Sequence, residues 1–373
     1  MVSKTAVLAL AASSVVSAQT FTDCNPLKKT CPSDPAFGND TITCDFSKGA
    51  CDVFAELPGT TLKYSDNGAV FSISTETQAP TIRTGRYILF GRVDVVVQAA
   101  AGAGIVTSSV LQSDDLDEID WEWVGGDNTQ AQTNYFSKGD TSTYDRGAFH
   151  EVDNPTGQFH KYSVEWTSQA VTWLIDDVPV RSLTAAQANN GATLPQTPMQ
   201  VKLGTWVAGR KDAPEGTVQW AGGLTDFDKA PFLGYYKSIS IVDYAGADGP
   251  TDKSIKEYVY GDHSGTWQSI KVVEGIPEDP VVEAHHSSTT AAAPTKTGSQ
   301  ASGPSKTGAA DGMNSVVTVP TASSGNSTGP APTGSNGIAM PSTIPSNSGS
   351  RGSVAVLGVL ATGAGALLAQ YFL

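Results

Sequence analysis

The sequence predicts an all-β fold, a two-sheet sandwich followed by a disordered stalk. Three observations carry that expectation. Short runs rich in Val, Ile, Thr and aromatic residues recur between Gly, Asp and Asn punctuation. Helical periodicity is confined to short pieces such as Leu183 to Ala188. Near Ala284 the composition changes to Ser, Thr, Pro, Gly and Ala, with scarcely an aromatic residue up to Ser353. Such a segment cannot bury enough apolar surface to offset its ordering entropy.

In chain order, Met1 to Ala18 combines Lys4, an apolar stretch from Ala6 to Val16 and Val16-Ser17-Ala18 before Gln19, the pattern of a cleavable secretory signal. Residues 19–283 are long enough for one large β domain. Its expected strands are Tyr87 to Val97, Gly104 to Leu111, Glu118 to Val124, Thr133 to Ser137, His160 to Thr167, Ala170 to Ile175, Gln200 to Val207 and Tyr235 to Tyr244. Asp176-Asp177 is the expected hairpin turn before Val178-Pro179-Val180. Residues 284–347 form the stalk, expected to be O-glycosylated. Asn39-Asp40-Thr41 and Asn326-Ser327-Thr328 are N-glycosylation acceptors.

The uncharged apolar tail Val354 to Leu373, preceded by Ser346-Asn347-Ser348-Gly349-Ser350, has the form of a GPI-attachment signal. Asn347 is the first choice of attachment site, with residues 348–373 removed. A single membrane span is the alternative, but no basic residue follows the tail. The protein is expected at the cell surface, on the plasma membrane and in the wall.

The four cysteines, Cys24, Cys31, Cys44 and Cys51, follow the signal closely. In a secreted chain they imply disulfides, and they lack the paired spacing of a zinc knuckle. Three pairings exist; joining Cys24 to Cys31 and Cys44 to Cys51 closes two short loops. The five histidines show no metal-ligand spacing, so neither metal nor cofactor is expected. A net charge of −14 argues against a nucleic-acid partner and suits a neutral polysaccharide, bound by a monomer.

The chemistry is concentrated in Asp117-Glu118-Ile119-Asp120-Trp121-Glu122-Trp123. In a strand, alternation puts Glu118, Asp120 and Glu122 on one face and Ile119, Trp121 and Trp123 on the other. Three alternating acids repel one another and favour strands poorly, so no structural need explains them. Glycosidic bond cleavage does, because it requires one ionised and one protonated carboxyl at a single pH. At a rise of ~3.3 Å per residue, the Glu118 and Glu122 backbones are about 13 Å apart, whereas a retaining pair of carboxyls needs roughly 5 to 5.5 Å. The two side chains must lean together on the concave face of a bent sheet.

Glu-x-Asp-x-Glu in this setting resembles the catalytic strand of glycoside hydrolase family 16. Thr133-Asn134-Tyr135-Phe136, Phe159 to Trp166, Trp173-Leu174-Ile175-Asp176 and Pro198-Met199 extend the resemblance over most of residues 80 to 240. With Cys24 to Pro32, the stalk and the GPI signal, the whole is similar to fungal Crh-type transglycosylases, which cut chitin and join the new end to β-glucan. The resemblance implies a curved jelly-roll sandwich of concanavalin type with an open concave cleft. It also implies Glu118 as nucleophile, Glu122 as general acid and then base, and Asp120 as the group that orients its neighbours.

Candidates for gripping the polymer are Lys202 and Trp206, which share a strand face with Gly204. The cleft is the favoured place for Trp206, with the core as the alternative. Glu215 to Trp220 reads as a second cleft-lining segment, although Thr217 and Trp220 fall on opposite faces of an ideal strand. Asn134, Tyr135 and Arg146 are further candidates, each with a packing or loop-fixing alternative. A β-glucan hydrolase would share all these residues. A wall lectin would not need every carboxylate, and a structural wall protein would need none.

Overall fold

Residues 22–142 and 145–277 are described by a computed structural model. The signal segment, the stalk, Asn326, Asn347 and the apolar tail lie outside them. Two antiparallel sheets carry the described chain. The first, here the acid sheet, orders its seven strands as Ala148–Glu151, Gln130–Phe136, Glu118–Val124, Ile105–Ser113, Met199–Val207, Thr81–Thr84 and Phe54–Glu56. The second runs Val178–Thr184, Ala170–Ile175, His160–Trp166, Gly91–Gln98, Phe232–Asp243, Gly68–Ile73 and Lys63–Ser65, with Thr41–Asp45 also paired to Phe232–Asp243. This is the jelly-roll sandwich that the sequence implies.

Period two fills the space between the sheets. Val93, Val95 and Val97 come from one sheet, and Leu111, Ile119, Trp121, Trp123, Val201 and Leu203 from the other. Gly91–Gln98 alternates buried and half-buried residues, because its outer face meets solvent. Ile105–Ser113 and Met199–Val207 are buried at every position, so the face of the acid sheet turned away from the core is itself covered at its centre.

Several boundaries differ from expectation for local reasons. The first expected strand begins at Gly91 and not Tyr87, because Phe90 adopts φ 59° and Ile88 bridges Met199 instead. Leu183 to Ala188 is not helical: the strand runs to Thr184, whose N–H and hydroxyl both donate to Gln187 Oε1 at 2.9 Å and turn the chain. Asp176 and Asp177 form the expected hairpin turn, with φ of 47° and 68°. A small third sheet of Asp34–Pro35, Ile255–Tyr260 and Ile270–Glu274 had no clear sequence signal. Buried Asp243 ties it to the sandwich, accepting from the N–H groups of Gly38 and Leu89 and from the Tyr258 hydroxyl.

Candidate active site

The acid strand Glu118–Val124 lies between Ile105–Ser113 and Gln130–Phe136. Its reverse face is fixed first. Trp121 and Trp123 are fully buried against the Tyr162 ring, and Trp121 Nε1 donates to Ser163 O at 3.2 Å. Trp173 Nε1 crosses the core to donate to Asp120 O at 3.1 Å. The second sheet therefore holds the backbone that presents Glu118, Asp120 and Glu122 on the opposite face.

Register builds that face row by row. Glu122 lies between Gln132 and Ser108, Asp120 between Asn134 and Val110, and Glu118 between Phe136 and Gln112. One strand further, Gly204, Lys202 and Gln200 continue the three rows. Glu118 and Asp120 are buried and Glu122 is half-buried, so Glu122 has the most open approach of the three.

Burial sets the protonation pattern. It raises all three carboxyls, because removing a carboxylate from water disfavours its charge. Burial and then the Glu118 charge push Glu122 up to about 8. Asp120 is raised well above the carboxylate range by burial and by the charges on both sides, and it shares a hydrogen bond with Glu118. Glu118 is raised by burial, but Gln112, Lys202 and Asp120 all oppose the rise. Three groups thus oppose the rise at Glu118, whereas burial and like charge act unopposed on Glu122, so Glu118, at the end of the row, is the acid that gives up its proton most readily.

Gln112 and Lys202 explain why the charge settles on Glu118. Gln112 Nε2 donates to Glu118 Oε2 at 2.7 Å, and Lys202 Nζ donates to Gln112 Oε1. The ammonium fixes the amide so that its NH2 faces the carboxylate. Lys202 thus lies on the cleft face as expected, but it is only 2% exposed and its ammonium turns to Gln112. Gln112→Leu is expected to lower the rate by roughly 10- to 100-fold, the loss of one hydrogen bond to a charged group. It should also move the acidic limb of the pH–rate profile upward, since Glu118 loses an interaction that favours its ionised form. A profile with an unmoved acidic limb would contradict this part for Gln112.

The segment Glu215–Trp220 is a short α-helix and not a strand. Helical phase resolves the conflict between Thr217 and Trp220, which as an i, i+3 pair bury on one side. Trp220 stacks on Trp206 with ring centroids 6.3 Å apart, and its Nε1 donates to Gln132 Oε1 at 2.9 Å. Trp206 lies outside the main core, in a small cluster with Val106, Val124 and Trp220 at the Val124 end of the acid strand. The Thr217 hydroxyl is buried with no hydrogen-bond partner among the described residues.

Tyr135 requires correction as a cleft residue. Its register partner is Ile119, so it faces the core with the tryptophans. Its ring lies under the Arg181 guanidinium at 5.6 Å. Arg146 donates to Asp140 O at 2.9 Å and sits 5.4 Å over the Phe136 ring, which gives it the loop-fixing part. Asn134 stays on the acid face, opposite Asp120. Gln112 and Gln132 were missed because only strand pairing reveals them. Cys24 pairs with Cys31 and Cys44 with Cys51, and Asn39 sits exposed in a turn.

Comparison with known proteins agrees with this geometry. Residues 52–222 match the glycosyl hydrolases family 16. Crh-like protein 4 of Aspergillus fumigatus is 48% identical over 261 residues, which cover 70% of this chain and 55% of that protein. Crh-like protein 3 of the same fungus is 45% identical, covering 70% of this chain and 69% of its own length. A solved structure of Crh5 transglycosylase in complex with NAG superposes with a TM-score of 0.62 at 47% identity, covering 67% of this chain and 99% of that one. The chain belongs to glycosyl hydrolases family 16. Within the family its relatives are Crh-like proteins, although it spans only 55% to 62% of the length of several of them.

Proposed function

We propose that the protein is a retaining cell-wall transglycosylase that cleaves chitin and passes the new end to β-glucan or chitin, with weak chitin hydrolysis as a side reaction. The observation that carries the reading is the acid row, in which Gln112 and Lys202 favour the ionised form of Glu118 while burial and the Glu118 charge keep a proton on Glu122 up to about pH 8. Glu118 attacks the sugar carbon as Glu122 protonates the leaving oxygen. Asp120, itself protonated, donates to Glu118 and holds the carboxylate in place. Glu122, now a base, takes the proton of the incoming hydroxyl as the glycosyl-enzyme opens.

Lys202, Trp206, Thr217, Trp220 and Asn134 grip the polymer, Lys202 and Trp206 from the donor side and Asn134 from the strand on the other side of the acids. Trp206 and Trp220 form a stacked aromatic wall, and the unpaired Thr217 hydroxyl has hydrogen-bonding capacity to offer a sugar. A buried, unpaired polar atom is costly to a fold and is best explained by a ligand that pairs it. Incubation with chitin oligomer and a fluorescent glucan oligomer should yield a labelled hybrid. Labelled glucan recovered unchanged, with free chitin fragments, would indicate a hydrolase.

Display at the cell surface completes the reading. The protein is lipid-linked at Asn347 after loss of residues 348–373, with the stalk, glycosylated at Asn326, spacing the catalytic domain from the membrane and a further glycan on the domain itself at Asn39. A phosphatidylinositol-cleaving phospholipase is expected to release it from membranes. Mature protein that retains Leu373, detected by mass spectrometry, would contradict the attachment.

A further inference from the structure

We propose that Phe149 is the stacking platform for the acceptor sugar, at the edge of the acid sheet opposite Lys202 and Trp206. The inference rests on the transglycosylase reading and extends it to a residue that the motif does not contain. Ala148–Glu151 is the edge strand of the sheet, and Phe149 pairs in register with Gln132, which pairs with Glu122. Phe149, Gln132, Glu122, Ser108 and Gly204 therefore form one row across the sheet, on the face that carries the acids.

Phe149 is 56% exposed. Among the described residues five large apolar side chains are exposed, and Phe149 is the one aromatic among them and the one on a strand of the acid sheet. Single exposed apolar residues are common, so exposure alone assigns nothing. Position decides here. An aromatic on an open sheet edge invites aggregation and contributes nothing to the core, whereas His150 beside it turns inward to Thr133 and Trp121. With strands about 4.8 Å apart, the Phe149 backbone lies roughly 10 Å from that of Glu122, along the row that runs across the strands.

The two sides of the acid strand differ in character. On the Lys202 side the face is buried and densely paired, which suits a donor held through two chemical steps. On the Phe149 side it is shallow and open, which suits a chain that must arrive after the first product leaves. There the acceptor hydroxyl oxygen bonds to the sugar carbon held by Glu118. The ester bond to Glu118 breaks, the carboxylate is regenerated, and the hydroxyl proton passes to Glu122. An aromatic ring recognises the apolar face of a β-linked pyranose, whether it comes from glucan or chitin.

The test uses the full-length protein with Phe149→Ala, Phe149→Tyr and, as a control for loss of an exposed apolar side chain in the other sheet, Val178→Ala. Glycosyl-enzyme formation is read as the burst of leaving group from an activated chito-oligosaccharide. Transfer is read with fluorescent glucan and fluorescent chito-oligosaccharide acceptors. Phe149→Ala is expected to raise the acceptor KM about five- to tenfold while the loss spares the burst. Phe149→Tyr should keep most transfer, and Val178→Ala should match the wild type. A rise for both acceptors supports recognition of the shared pyranose face, and a rise for one assigns the platform to that acceptor. An unchanged acceptor KM, or a loss that falls on the burst, would overturn the inference. Failure of the underlying reading looks different: the wild type itself would give neither burst nor transfer.

Discussion

Glu118→Gln protein should fold and lose transfer from every donor, by a factor on the order of 10^4 or more, because no covalent glycosyl-enzyme can form. Folding is spared because Glu118 faces away from the inter-sheet core, and an amide can still accept from Gln112 Nε2. An activated leaving group cannot rescue this variant, since what is missing is the attacking atom and not the proton. Assays with chitin oligomers and with an activated chito-oligosaccharide should both show the loss, while circular dichroism matches the wild type.

Glu122→Gln should separate the two substrates. With chitin, whose leaving oxygen needs a proton, the loss is expected at about 10^2- to 10^4-fold. With a donor whose leaving group is already acidic, the burst should return, because Glu118 remains. The pH dependence follows from the same group. Glu122 is raised to about 8, so wild-type cleavage of chitin should decline as pH rises through that value, and the variant should lack this limb. Stability should move in the same window. A carboxyl raised in the folded state favours folding at low pH, and that contribution is lost as pH rises from the ordinary range near 4.5 to about 8. Glu122→Gln removes the buried ionisation, so its Tm should equal that of the wild type at pH 4 and exceed it at pH 8. Equal Tm values at both pH values would place Glu122 in a more hydrated setting than the fold gives it.

The sequence revealed the acid strand to the residue, because alternation of acids with Ile119, Trp121 and Trp123 specifies both its period and its buried side. The strand before it was expected to end at Leu111, and the residue that governs Glu118 is Gln112, one step beyond. No local pattern distinguishes Gln112; strand pairing brings it opposite Glu118, and from the neighbouring row Lys202 Nζ donates to it. Tyr135 shows the same limit. Thr133 to Ser137 is legible as a strand, but which parity faces the cleft depends on its register with Ile119. The Glu215–Trp220 helix did leave a signal in Pro214 before it and Glu215 in its first turn. Thr217, Val218 and Trp220 favour strands individually, and six residues are too few for helical periodicity to outweigh them.

The most direct test of the mechanism is to trap the glycosyl-enzyme with an activated, slowly turned-over chito-oligosaccharide and locate the label by peptide mass analysis. The label is expected on Glu118, with Glu122→Gln protein labelled at the same residue. Label on Glu122 would reverse the two roles, and full chitin-to-glucan transfer by Glu118→Gln protein would contradict the double displacement altogether.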